Sequence, residues 1–142
     1  MKAADLSLAD IHVGQIYQFT KKITSDEVLK FADLTGDLNP IHVDKEFGEK
    51  SQFKRNIVHG MFAGSLFSTL VGIYCPGKNA LYLSQTLNFK LPIFYDDDIA
   101  VKGTVTAKNN VINIITLKTE IIKDGKVCIN GEAKIKLIEA QK

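Results

Sequence analysis

The chain has 142 residues, 45% hydrophobic and 24% charged, which suits one domain with a real core (residues 1–142) and excludes the polar, charge-heavy composition of disorder. Its formal net charge of +2 comes from scattered basic residues, so no concentrated positive face argues for nucleic acid or a membrane surface as partner. Cys75 and Cys128 lack metal-ligand spacing, no glycine-rich phosphate loop or dinucleotide fingerprint is present, and "MKAADLSLADIH" lacks the apolar run of a secretory signal, so the expectation is a cytoplasmic protein with neither cofactor nor metal.

In chain order, "GQIYQFTKKI" (Gly14–Ile23) alternates apolar and polar residues and predicts a strand. "TSDEVLKFADLTG" predicts a helix: Thr24 and Glu27 fit a capping box, Val28, Phe31, Ala32 and Leu34 follow helical spacing, and Gly36 suits a left-handed end. Asp37 then opens a loop in which Pro40 fixes its own φ and biases Asn39 to an extended conformation. A stiff, non-helical bend from Asp37 to His42 would let both side chains face one point. "IVHGMFAGSLFSTLVGIY" (Ile57–Tyr74) is the most apolar segment. It is near the lower length of a membrane span but holds a His, two Ser, a Thr and three Gly, so it reads as a buried core helix, apolar all round, with Gly60 and Gly64 permitting close approach. From Ala80 the period changes to that of strands: "ALYLSQTLNFKLP", "DIAVKGTVTA", "VINIITLKTEIIK" and "KVCINGEAKIKLI", with "AKNNV" and "KDGK" as hairpin turns. The fold class is α+β, a curved antiparallel sheet wrapped around one long buried helix, which is the hot-dog layout.

"FADLTGDLNPIHVD" carries the chemistry-bearing residues and closely resembles the hydratase motif of the MaoC-like, (R)-specific enoyl-CoA hydratases in Phe31, Gly36, Asp37, Asn39, Pro40, Ile41 and His42. "IVHGMFAGSLFS" (Ile57–Ser68) resembles the second signature of that family and "SQTLNFKLPIFYDDD" the strand and turn that follow, so the likeness runs in order from Val13 to Leu137. Two positions depart from the pattern: Gly48, where the family commonly has Ala or Ser, and Asp96–Asp98, where it commonly has a Gly-Asp turn.

The resemblance implies hydration of a trans-2-enoyl-CoA thioester to the (R)-3-hydroxyacyl product, a lyase reaction of fatty acid metabolism. Such a reaction needs a base to take a proton from water, an acid for the α-carbon and donors for the thioester oxygen. Asp37 and His42 are the proton-transfer residues, in an order the sequence leaves open. Gly60, opening the buried helix, is the expected backbone N–H donor, and Asn39 the supporting residue that holds loop or water. Ser68 and Val71 resemble acyl-pocket positions. His59 is read either as lining the substrate site or as a structural hydrogen-bonding residue at the helix start. Without the family likeness, Asp37 and Asn39 would be turn residues and His42 a partly buried polar one. His12 reads as a surface residue, Ser65 as a back-bonding helix serine, Arg55 in "KSQFKRN" as part of a solvated loop, and Asp96–Asp98 as a polar turn. The partner expected beyond the acyl-CoA thioester is a second copy in a homodimer. The competing readings are a 3-hydroxyacyl-[acyl-carrier-protein] dehydratase, a non-catalytic acyl-thioester-binding subunit and a thioesterase.

Overall fold

The computed structural model describes residues 1–139. Strand β1 (Ile16–Lys22) leads into α1 (Ser25–Thr35), two short helices α2 (Pro40–Val43) and α3 (Lys45–Lys50), and the central helix α4 (Gly60–Thr69), which widens into a π-helical turn over Leu70–Tyr74. Strands β2 (Ala80–Gln85), β3 (Asn88–Phe89), β4 (Asp98–Asn109), β5 (Ile114–Lys123) and β6 (Lys126–Leu137) complete it. All pairings are antiparallel, in the order β1-β4-β5-β6-β2, with β3 also on β6. This is the expected hot-dog architecture.

Local chemistry explains the elements. The Thr24 hydroxyl accepts from the Glu27 N–H at 3.2 Å and the Glu27 carboxylate accepts from the Thr24 N–H at 2.9 Å, the reciprocal capping box that starts α1. Gly36 ends it at φ 82°, its N–H donating to Ala32 O. The β5–β6 hairpin turns through Asp124 and Gly125, both at positive φ. On β4, Ile99, Val101, Gly103 and Val105 face inward, as do Ile115, Leu117, Thr119 and Ile121 on β5. A β-carbon at Gly103 would come within 2.8 Å of Leu70 Cδ2, so helix and sheet meet closely there. Phe67 and Leu70 are almost fully buried against Ile99, Val101, Ile121 and Ile129, each such side chain contributing roughly 1.5–3 kcal/mol.

Three sequence expectations are corrected. The Asp37–His42 bend is partly helical, because Pro40 takes the first position of α2, where its missing N–H costs nothing, and Asn39 caps it. The central helix begins at Gly60, as expected, and Ile57 and Val58 stay outside it because Ile57 bridges Phe94 and the Val58 N–H donates to Ile93 O. It is not apolar all round: Met61, Ser65 and Ser68 form an exposed face. "ALYLSQTLNFKLP" is two strands, broken where Thr86 crosses Gly131. No helix among the described residues is long and apolar enough to cross a membrane.

Candidate functional site

The loop between α1 and α2 is shaped by two successive side-chain-to-backbone bonds. Asp37 Oδ1 accepts from the Asn39 N–H at 3.2 Å and Asn39 Oδ1 from the Ile41 N–H at 3.3 Å, turns that Asx residues make readily. Asn39 keeps the extended φ and ψ (−54°, 124°) that Pro40 imposes. His42 follows on α2, and its Nδ1–H donates to Ile57 O at 2.8 Å, which fixes the tautomer and leaves the Nε2 lone pair free. The Tyr95 hydroxyl donates to His42 O, and Asn56 Nδ2 donates to Ile41 O at 3.0 Å and Asp44 O at 2.8 Å. A β-carbon at Gly48 would lie 2.7 Å from Asn56 N and from Nδ2, so the departure at Gly48 makes room for this fastening.

His59, the N-cap of α4, is buried. Its Nε2–H donates to the Asp37 backbone O at 3.0 Å, with Asp37 Oδ2 at 3.9 Å. Its ring stacks on that of His42, centroids 3.9 Å apart at 28°. Phe31 packs on His59 at 4.8 Å and on Phe62 at 4.9 Å, so four rings form a column from α4 to the loop. One ligand-type atom each from Asp37, His42 and His59 lies within 4.8 Å of the others. Two of these residues' ring nitrogens, however, already donate to carbonyls.

His42 and Gly60 line one cavity of about 460 Å³, whose walls include Phe53, Met61, Phe89 and Ile129. Gly60 is the first residue of α4, so its N–H has no carbonyl within the helix to receive it. A β-carbon there would meet the Phe89 ring at 2.7 Å, so only glycine leaves this corner open. Burial pushes the His42 imidazole below its usual value; the bond to Ile57 O opposes this, His59 adds to it and Asp37 opposes it. The Asp37 side chain is half exposed beside the histidine pair, off the cavity wall.

The remaining residues disperse. Ser68 borders a different cavity, about 310 Å³, with Ser65, Tyr82 and Gln85, and Met61 borders both. Val71 is fully buried in the core beside Cys75 and Ile115, where it lines neither cavity. Ser65 Oγ donates back to Phe62 O at 2.6 Å. Arg55 lies over the Phe94 ring at 3.7 Å and faces a third cavity with Lys45, Lys54 and Tyr95. Asp97 accepts from the Phe94 N–H and pairs with Lys123 at 2.9 Å, closing a polar turn. His12 is exposed. Sequence reasoning missed Asn56, Ile57 and Tyr95, which orient His42 from 14, 15 and 53 positions away; an Asn before an apolar run was their only signal.

A curved sheet around one helix, with a loop of proton-handling side chains packed on that helix's first turn, defines a hot-dog protein with a candidate acid–base site. The chain belongs to the MaoC-like family: the model described as "MaoC like domain" matches residues 10–127. It is 42% identical over 133 residues to the (R)-specific enoyl-CoA hydratase of Aeromonas caviae, covering 93% of this chain and 99% of that one. It is 36% identical over 126 residues to a 3-hydroxyacyl-[acyl-carrier-protein] dehydratase of Solanum lycopersicum, covering 87% and 75%. Among solved structures, an R-hydratase from Pseudomonas aeruginosa superposes with TM-score 0.90 at 32% identity, covering 99% of this chain and 94% of that one. The A. caviae (R)-hydratase structure superposes with TM-score 0.87 at 43% identity, covering 90% and 98%.

Proposed function

We propose that the protein is a hydro-lyase, an (R)-specific enoyl-CoA hydratase built as a single hot-dog domain, with Asp37 and His42 as its proton-transfer pair. The observation that carries this reading is the His42 ring, held by Ile57 O with Nε2 free, on the same cavity wall as the unpaired Gly60 N–H. In this reading the thioester oxygen accepts from Gly60, whose donor and helix dipole stabilise developing enolate charge. Neutral His42 receives a proton from water through Nε2, and Asp37 is the second proton-transfer group. Asn39 acts by holding the loop. Ser68 belongs to an outer part of the substrate site, His59 packs behind the pair without lining either cavity, and Val71 bears on the site only through packing.

The experiment is turnover of crotonyl-CoA and a slightly longer analogue by purified protein with chelator present and nothing added. The (R)-alcohol is the expected product; an (S) product or an absolute need for a metal would contradict the proposal. The tomato relative favours one second reading, the same chemistry run as dehydration on acyl-carrier-protein, so matched acyl groups on the two carriers complete the assay.

The pH dependence follows from His42. Only the neutral ring has a lone pair at Nε2, and its protonation lies below the ordinary histidine value of 6.5. The kcat/KM should therefore hold as pH falls to 6.5 and drop through a midpoint below it. A midpoint above 6.5 in the wild type would rule His42 out as the base.

A homodimer is part of the proposal. β1 and β2 are the free edges of the sheet, and beside β2 the side chains of Met61, Leu83, Phe89 and Leu91 are exposed at 61%, 48%, 53% and 44%. A second copy covering that side would close the cavity that Met61, Phe89 and Leu91 border. Met61→Glu should then yield monomers with reduced turnover, read by analytical ultracentrifugation beside assays at matched concentration. A stable monomer with full activity would exclude the arrangement.

A further inference from the structure

The His59 ring presents one nitrogen to the site and leaves the other without any partner. Nε2–H donates to Asp37 O, so Nδ1 carries the lone pair, and Nδ1 is buried with no hydrogen-bond partner among the described residues. An unpaired polar group in the core is a cost that calls for a reason. The one hydrogen bond of the His59 ring and its closest ring contact are directed at the two proton-transfer residues: the bond to the backbone that carries Asp37, and the face-on contact with His42 at 3.9 Å. On its far side Phe31, backed by Phe62, prevents the ring from withdrawing.

We propose that His59 is a positioning residue for both members of the pair, its Nε2–H setting the place of Asp37 and its ring face setting the plane of the His42 imidazole. It lines neither the His42 cavity nor the one beside Ser68, so it acts through the pair. The inference rests on the hydratase reading for its kinetic test. His42 is tied from one side only, by Ile57 O, and one bond leaves the ring free to rock about its axis; the stack removes that freedom. Among the described residues the Asp37 carboxylate accepts only from the Asn39 N–H, so it moves with its backbone. Misplacing a reacting group by about 1 Å costs up to ~10²-fold in rate.

Two variants separate the contributions. His59→Phe keeps a ring for the stack and removes the donor; His59→Gln keeps an N–H at the reach of Nε2 and removes the stack. Both are expected to melt near the wild type, to leave KM little changed, and to lower kcat by roughly 10-fold to 10²-fold. Wild-type kcat in either folded variant, or a loss matched by the unfolded fraction, would overturn the proposal. Should His59→Phe fail to fold, His59→Gln carries the same criteria alone. Inactivity of the wild type on every enoyl thioester strikes the functional reading instead. Long-range 1H–15N spectra of the histidines then decide: the Nδ1–H pattern set by the Ile57 bond should persist, while His59→Gln, which removes the stack, should shift the His42 ring signals and His59→Phe should leave them nearer the wild type; unshifted His42 signals in His59→Gln would overturn the positioning role.

Discussion

Replacing Asp37 by Asn or His42 by Ala is expected to lower turnover by ~10²-fold or more in each case, since a positioned acid or base contributes ~10²–10⁴. Asp37→Asn is the cleaner change. It keeps an oxygen to accept from the Asn39 N–H, so the loop bond survives while the ionisable group is lost. His42→Ala also removes the donor to Ile57 O and opens the stack against His59, so a melting curve must accompany it. The double variant should lose far less than the product of the two single losses, because groups that act on one water work as a unit. Near-normal turnover in either folded single variant would take that residue out of the chemistry.

The largest structural effect is expected from Gly131→Ala. A β-carbon there would lie 1.8 Å from Thr86 O and 2.7 Å from Thr86 C, so one of the two segments must move. Thr86 is poorly placed to yield. Its N–H donates to Glu132 O at 3.0 Å, its hydroxyl accepts from the Glu132 N–H at 2.9 Å, and its carbonyl accepts from Gln85 Nε2 at 2.8 Å. Overpacking of this kind costs ~1–3 kcal/mol, or roughly 3–10 °C in Tm for a chain of this size. The displaced segment carries Phe89 and Leu91, which line the His42 cavity, so KM should rise as well. Gly72→Ala is the control: its φ is ordinary, nothing lies within 4 Å, and its Tm should hold or rise slightly. Equal melting of the two variants would show that the crossing at Thr86 is not tight.

Much of the fold was legible because its signals are local. The capping box of Thr24 and Glu27, the Gly36 stop, the Asp124–Gly125 turn and the alternation along β4 and β5 are each decided within a few residues. What escaped was decided across the chain. Ile57 and Val58 have the apolar character of the helix that follows, yet they are drawn out of it by pairing with Ile93 and Phe94. Ser68 and Val71 would share a face at regular helical spacing. The wide turn beginning at Leu70 adds backbone between them, so one meets a surface cavity and the other the core. At the candidate site, the motif singled out Asp37, Asn39 and His42 as a group; the structure puts His42 on one cavity wall with Gly60, and Asp37 beside the two histidines off that wall. The residues that orient them, Asn56, Ile57, His59 and Tyr95, act over distances in sequence that no spacing rule reaches.

The two segments of the candidate site are sewn together in one chemical direction. His42, Asn56 and His59 each send a side-chain N–H across the seam, and each is received by a main-chain carbonyl: of Ile57, of Ile41 and Asp44, and of Asp37. A main-chain acceptor is present whatever side chain the residue bears. Positions 41, 44 and 57 can therefore drift in identity without loosening the seam, as long as backbone conformation and packing are kept. Positions 42, 56 and 59 have no such latitude, and the side-chain half of the seam is written in two residue types, His and Asn, at three positions.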